Sequence, residues 1–175
     1  MFKPGLAITQ QRRIELLRHY IHDDTGSLVV RAAACLLLLY AQPLSRIQRL
    51  TRTDLTNIDD QLHLDLGKPA SPVPAPIAAL LHQLIDDNER RGHRDQWPFP
   101  GRLTGQHIAY RTLHGALREH GFPLKEARVA ALRELVQQAP APVIADALGY
   151  HHTTTTRQSN HASATRIRYP TNPAR

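Results

Sequence analysis

Thr153, Thr154, Arg157, Gln158 and Asn160 crowd into one short stretch of the chain. Their side chains are the donors and acceptors that suit phosphate oxygens and base edges. They follow Pro140-Ala-Pro-Val-Ile-Ala-Asp-Ala-Leu-Gly149, in which Val143, Ile144, Ala147 and Leu148 give a short helix an apolar face. Gly149 marks a turn through the left-handed region, and Thr153 is placed to cap a second helix carrying Thr154, Arg157, Gln158 and Asn160 outward. Helix, glycine turn and polar helix is the order of a helix-turn-helix, whose second helix lies in the major groove of DNA. Two features oppose this reading. The run Thr153 to Thr156 is a poor helix former, each threonine about 0.5 kcal/mol worse than alanine, and Gln158 falls where such motifs bury an aliphatic side chain. The same pattern also describes a plain corner between two helices.

Other reactive side chains are scattered. Lys68 sits in Gly67-Lys68-Pro69, where a lysine is by default a solvated charge at a turn. Arg128 lies near the start of a helical stretch, where an ion pair with Glu126 competes with phosphate binding. His151, His152 and His161 have no cysteine or carboxylate partners at ligand spacing, so no metal site and no cofactor is expected. His107 and His114 are seven apart and are expected on one helix face, a spacing that is weak evidence by itself. There is no glycine-rich phosphate loop, nucleophilic serine motif or paired-carboxylate site.

The charge is one-sided. Residues 1–101 hold 12 basic and 11 acidic side chains, a net of +1, whereas residues 102–175 hold 10 and 4, a net of +6. A basic field confined to one half favours a polyanion such as double-stranded DNA. Leu28 to Tyr40 is the longest apolar run, but its 13 residues include Arg31 and fall short of the ~20 that span a bilayer. It reads as a central buried helix, and no membrane partner is expected. Cys35, alone within it, is a small core residue suited to a reducing cytoplasm. The length of 175 residues suits one core.

The elements that must position these groups are mostly helices. Thr9 to His22 is amphipathic at helical period and ends at Asp23-Asp-Thr-Gly26, after which Ser27 should cap the buried helix. Pro43 to Leu50 should form a short helix with the proline in its first turn. Gln61-Leu-His-Leu-Asp-Leu66 alternates polar and apolar residues as a strand does, and Gly67-Lys68-Pro69 turns the chain into the extended Ser71-Pro-Val-Pro74. Ile77, Leu80, Leu81, Leu84 and Ile85 mark a helix ending in a charged loop from Asp86 to Asp95. Trp97-Pro-Phe-Pro-Gly101 reads as a rigid turn with two aromatic anchors. Helices over Tyr110 to Leu117 and Lys125 to Gln138 precede the final corner. The fold class expected is mainly α with a small β-hairpin. Residues 1–26 form an N-terminal helix packed on the core, 27–162 the main helical domain and 163–175 a basic flexible tail.

This order, with several local motifs, resembles the catalytic domain of the tyrosine recombinases, the phage integrase family. The segment Leu36-Leu-Leu-Leu-Tyr40 followed by Leu44-Ser-Arg-Ile-Gln-Arg-Leu-Thr-Arg-Thr-Asp-Leu55 is similar to a helix and following segment of that family. Lys68 stands at the hairpin turn where the family has a catalytic lysine. Lys125-Glu-Ala-Arg128 resembles its His-or-Lys, two spacers, Arg box, and Ala147-Leu-Gly-Tyr150 its Leu-Gly-His box. The resemblance covers roughly residues 28–162, and the expectation it gives is a catalytic domain without the family's N-terminal core-binding domain.

The resemblance implies a chemistry in which a tyrosine attacks a DNA phosphodiester, two arginines neutralise its oxygens, a lysine protonates the leaving oxygen and a histidine assists. The remnants of that set are Arg46, Lys68, Lys125, Arg128, His151 and Tyr169. Pro43 holds the first arginine's place, with Arg46 three residues on. Tyr150 replaces the histidine, with His151 one residue late, and Ser159 and Asn160 stand where the nucleophilic tyrosine belongs. Tyr169 lies some ten residues beyond it, a displacement read from the sequence. The expectation is a DNA-binding protein with a degenerate recombinase fold and no strand cleavage. Its DNA contacts would come from Lys68, Arg128, Thr153, Thr154, Arg157, Gln158, Asn160, Arg166 and Arg168, and further copies of itself or other recombinase subunits would be partners. The alternatives are an active recombinase using Tyr169, or a helix-turn-helix regulator.

Overall fold

The computed structural model describes residues 8–150. Its elements in chain order are α1 (Gln10–His22), α2 (Leu28–Tyr40), α3 (Leu44–Ile47), a 3-10 turn (Arg52–Asp54), β1 (Leu55–Ile58), β2 (Gln61–Leu64), β3 (Ser71–Pro72), α4 (Ala75–Arg90), α5 (Tyr110–Glu119), α6 (Leu124–Gln138) and α7 (Ala141–Leu148). The mainly helical class with one small sheet is therefore as expected.

The apolar run forms the central helix. From Ala32 to Leu38 every residue of α2 is at most 2% exposed, because α1, α4 and α6 all pack around it. A helix that is apolar on all sides has no other stable placement in water. Cys35 is fully buried, and burial pushes its thiol up to about 12. Two buried arginines serve this packing. Arg13 of α1 donates to the Leu38 carbonyl at 2.6 Å, and Arg31 of α2 donates to the Tyr20 and Ile21 carbonyls at the end of α1. Burial lowers the Arg13 pKa, with Glu134 opposing.

Caps follow the sequence only in part. The Thr9 hydroxyl accepts from the Arg12 amide at 3.1 Å and starts α1. Ser27 precedes α2 but makes no side-chain cap bond. Its expected role is corrected: Ser27 contributes backbone only, its carbonyl accepting from the Arg31 amide.

The sheet is antiparallel in the order β1-β2-β3, with Leu55 opposite Leu64 and Leu64 opposite Ser71. The alternating pattern holds, with Leu62, Leu64 and Leu66 buried on one side. β1 was not expected from the sequence. It turns into β2 at Asp59 and Asp60, both at positive φ (49° and 60°), the pair of left-handed residues that a tight hairpin needs. Aspartate reaches that region more easily than most side chains, so the turn does not depend on glycine.

α4 runs on through the charged segment to Arg90, correcting the expected loop that begins at Asp86. Asn88 is buried there, and its amide donates to the Pro98 carbonyl at 2.8 Å, holding the Trp97-to-Gly101 turn. Phe99 of that turn is fully buried, as an anchor should be, and the Trp97 indole N–H donates to the Gly105 carbonyl. His107 lies before α5, bridged with Pro100 in an isolated β-pair, so it does not share a helix with His114.

Candidate nucleic-acid interface

The hairpin turn and the Leu-Gly corner meet backbone to backbone. The Lys68 amide donates to the Asp146 carbonyl at 2.8 Å. A Cβ added to Gly67 would stand 1.9 Å from that same oxygen, so the residue before the lysine must lack a side chain. Gly149 ends α7 at φ 63°, the left-handed turn read from the sequence, and a Cβ there would come within 2.5 Å of both Arg46 Nη1 and the Leu66 carbonyl. Within α7, Ile144, Ala145 and Leu148 are buried. Val143 is 51% exposed and does not belong to the apolar face assigned to it.

Arg46 fills the remaining space of this junction. Its Nη1 donates to the Leu148 carbonyl at 2.9 Å and its Nη2 to the Leu66 carbonyl, joining α3, the hairpin and the end of α7. Gln42 acts beside it. Its side-chain amide donates to the Tyr40 and Leu148 carbonyls, and its Oε1 is buried with no hydrogen bond among the described residues. Pro43 is the N-cap of α3 at φ −68°, as its ring requires, and stands before the first turn; the helix expected over Pro43 to Leu50 is corrected to the single turn Leu44–Ile47. A guanidinium satisfied by two carbonyls is held where a helix C-terminus favours a cation.

Arg128 is tied down in a similar way. Its Nε donates to the Ala41 carbonyl at 3.0 Å and lies 3.4 Å from the Tyr150 hydroxyl, while its guanidinium carbon sits 5.6 Å from the Tyr150 ring centroid. No ion pair joins it to Glu126 among the described residues, so that alternative is not the one adopted. The Tyr150 hydroxyl donates to the same Ala41 carbonyl. Ala41 is in the left-handed region at φ 55°, which aims its carbonyl at both partners. Burial raises the Tyr150 pKa, with the charges of Arg128 and Arg46 opposing, so the phenol is neutral and remains a donor at pH 7.

Beyond this junction, between α2, α3, α5 and α6, lies an open cavity of about 470 Å³. Its rim carries Tyr110, His114, Lys125 and Arg128, and no carboxylate among the described residues lines it. Lys125 is exposed and makes no hydrogen bond or ion pair among the described residues. Lys68 is exposed in the same sense through its side chain, only its amide being bonded.

The structure thus gathers Arg46 and Arg128 around the Ala41-to-Leu44 segment and the Leu-Gly corner, and hangs Lys68 on that corner through its backbone. His151, Thr153, Thr154, Arg157, Gln158, Asn160, Arg166, Arg168 and Tyr169 lie outside the described residues, as does the second half of the expected helix-turn-helix. The sequence reading missed Gln42, for which nothing in its neighbourhood gives a signal, and gave Tyr110 no role beyond its helix. The i, i+4 spacing of Tyr110 and His114 on α5 is the signal that could have found that pair. No group of three His, Cys, Asp or Glu that could hold a metal exists among the described residues. None of the described helices is long and apolar enough to cross a membrane.

No protein-family model matches the chain, and no curated protein does. Among solved structures, it is similar to a XerH site-specific recombinase bound to palindromic difH substrate in a post-cleavage complex. The match has a TM-score of 0.65 at 19% identity and covers 94% of this chain. It covers 52% of the recombinase, so this chain spans about half of that protein's length. The fold is similar to that of a tyrosine-recombinase catalytic domain.

Proposed function

We propose that this chain is a DNA-binding protein built on a tyrosine-recombinase-like fold that has lost strand cleavage. The observation that carries the reading is the state of the two arginines. Arg46 spends both terminal nitrogens on the Leu66 and Leu148 carbonyls, Arg128 commits its Nε to the Ala41 carbonyl, and Tyr150 closes the same arrangement from the histidine's place. An arginine that must neutralise a phosphate in the transition state needs its donors aimed at the reacting oxygens. Here the Arg46 donors hold the protein together instead. Ser159 and Asn160 at the nucleophile's place point the same way.

DNA as partner is supported by the fold, by the net +6 of residues 102–175 and by the exposed amines of Lys68 and Lys125, unpaired among the described residues. Phosphate contacts fix a protein on a duplex independently of cleavage. The polar and basic residues from Thr153 to Arg168 would extend this surface, and the buried, solitary Cys35 accords with a reducing compartment.

Binding to a mixed-sequence duplex, followed by fluorescence anisotropy at about 50 and about 200 mM salt, tests the reading. Tight binding that weakens steeply with salt, and that Lys68→Ala, Lys125→Ala and Arg157→Ala each reduce, is the expected result. Absence of binding at the lower salt defeats it. Incubation with a nicked duplex and denaturing electrophoresis should give no covalent adduct. An adduct that Tyr169→Phe abolishes would instead establish cleavage by the displaced tyrosine.

A further inference from the structure

The cavity between α2, α3, α5 and α6 joins an apolar floor to a cationic rim, and apart from Lys125 and Arg128 none of its lining enters the reading above. Leu44, Leu124 and Leu132 form its apolar lining, and its volume of about 470 Å³ falls within the roughly 300–1,000 Å³ of small-ligand clefts. Tyr110 stands at its edge, 49% exposed although aromatic, with its ring stacked on His114 at 5.7 Å between centroids and 25° between planes. A stacked pair with one ring half in solvent offers an outer aromatic face to a further flat group. Lys125 and Arg128 supply positive charge from α6, and among the described residues the lining contains no carboxylate to repel an anion.

We infer that this cavity receives one unstacked nucleotide of a DNA strand, its base against Tyr110 and its phosphate at Lys125 and Arg128. The inference rests on the DNA-binding reading and makes it specific. Burying the ring face of a base on an apolar floor, with its phosphate at a cationic rim, matches both halves of the site. A helix of an amphipathic peptide would match the floor but not a rim of two cations and a stacked aromatic pair. Base stacking on an aromatic tolerates any base, so the site would read an unpaired position and not a sequence.

The experiment compares a fully paired duplex with the same duplex carrying one bulged nucleotide, both by anisotropy at low salt. The bulged duplex should bind about tenfold tighter, within what stacking one base on an aromatic ring contributes. Tyr110→Ala should erase that preference while leaving the paired duplex within about twofold, and Tyr110→Phe should keep it, since the ring and not the hydroxyl is used. Circular dichroism of both variants controls for folding. Equal binding of the two duplexes, or a preference that Tyr110→Ala leaves intact, overturns the nucleotide site and leaves the DNA-binding reading standing. Failure to bind either duplex overturns both. Competition of the bulged duplex by free dAMP at similar affinity would assign the cavity to mononucleotides. Self-association abolished by Tyr110→Ala, without any bulge preference, would assign it to a second copy of the chain. Either result overturns the inference.

Discussion

Two neighbouring regions carry cations and use them in opposite ways. At the junction of the hairpin with the α7 corner, Arg46 is surrounded by backbone and its donors meet the carbonyls of Leu66 and Leu148. At the α5–α6 cavity, Lys125 is exposed and unpaired among the described residues, beside a half-exposed aromatic ring. The sequence writes both as basic residues in family-like motifs. A cation that closes an interface between main-chain segments contributes stability, and one left in solvent beside an open cavity is available for a partner. Arg128 stands between the two, its Nε on Ala41 and its guanidinium at the cavity rim.

The contrast breaks most sharply at Gly67. Gly67→Ala would put a methyl 1.9 Å from the Asp146 carbonyl, and the hairpin and corner must separate to admit it. Overpacking of this kind costs about 3 kcal/mol, visible as a lowered urea midpoint. A variant as stable as the parent would show that the two segments do not press together.

Arg46→Met keeps the unbranched apolar stem but removes the guanidinium, leaving the Leu66 carbonyl without its side-chain donor and the Leu148 carbonyl with Gln42 alone. The expected loss is about 2 kcal/mol in urea denaturation. DNA affinity of the folded variant should change little if the residue is a strut. A large loss of affinity at unchanged stability would make Arg46 a phosphate contact after all.

Tyr150→Phe removes one hydroxyl from Ala41 and should cost about 1 kcal/mol near neutral pH. The phenol's pKa is raised by burial from its ordinary 10.0, so the neutral hydroxyl favours the folded state. Its contribution is complete below pH 10.0 and is lost as pH rises through the higher folded value. Urea titrations of parent and variant should therefore converge in strong alkali. A gap between them that persists there would mean the hydroxyl is not the group responsible.

Lys125→Ala is the smallest change in stability and the sharpest in function. Stability should stay within about 0.5 kcal/mol, as for exposed positions without partners. DNA affinity should fall, with the salt slope reduced by about one, the signature of a lost phosphate contact. A stability loss as large as that of Arg46→Met would erase the distinction between the regions.

Much of the fold could be read from residue order, because the signals are local. The apolar run over α2 can only be a core helix, the alternation of Leu62, Leu64 and Leu66 can only face one side of a sheet, and Gly149 sits where a helix must end left-handed. β1 could not be read so, since its paired aspartates do the turning that Asn-Gly usually signals. The end of α4 was misplaced because charge alone suggested a loop, whereas Asn88 is buried against the Pro98 carbonyl within that stretch.

The site divides along the same line. Which residues are cationic or aromatic, and that the positive charge gathers in the C-terminal half, was set by the sequence alone. Which of those cations are used up was decided only in three dimensions. Arg46 meets a carbonyl 102 residues away and Arg128 one 87 away, and no local pattern encodes a hydrogen bond across such a separation. Long-range backbone acceptors are positioned by the packing of whole elements, so the difference between a strut and a free charge belongs to the tertiary structure.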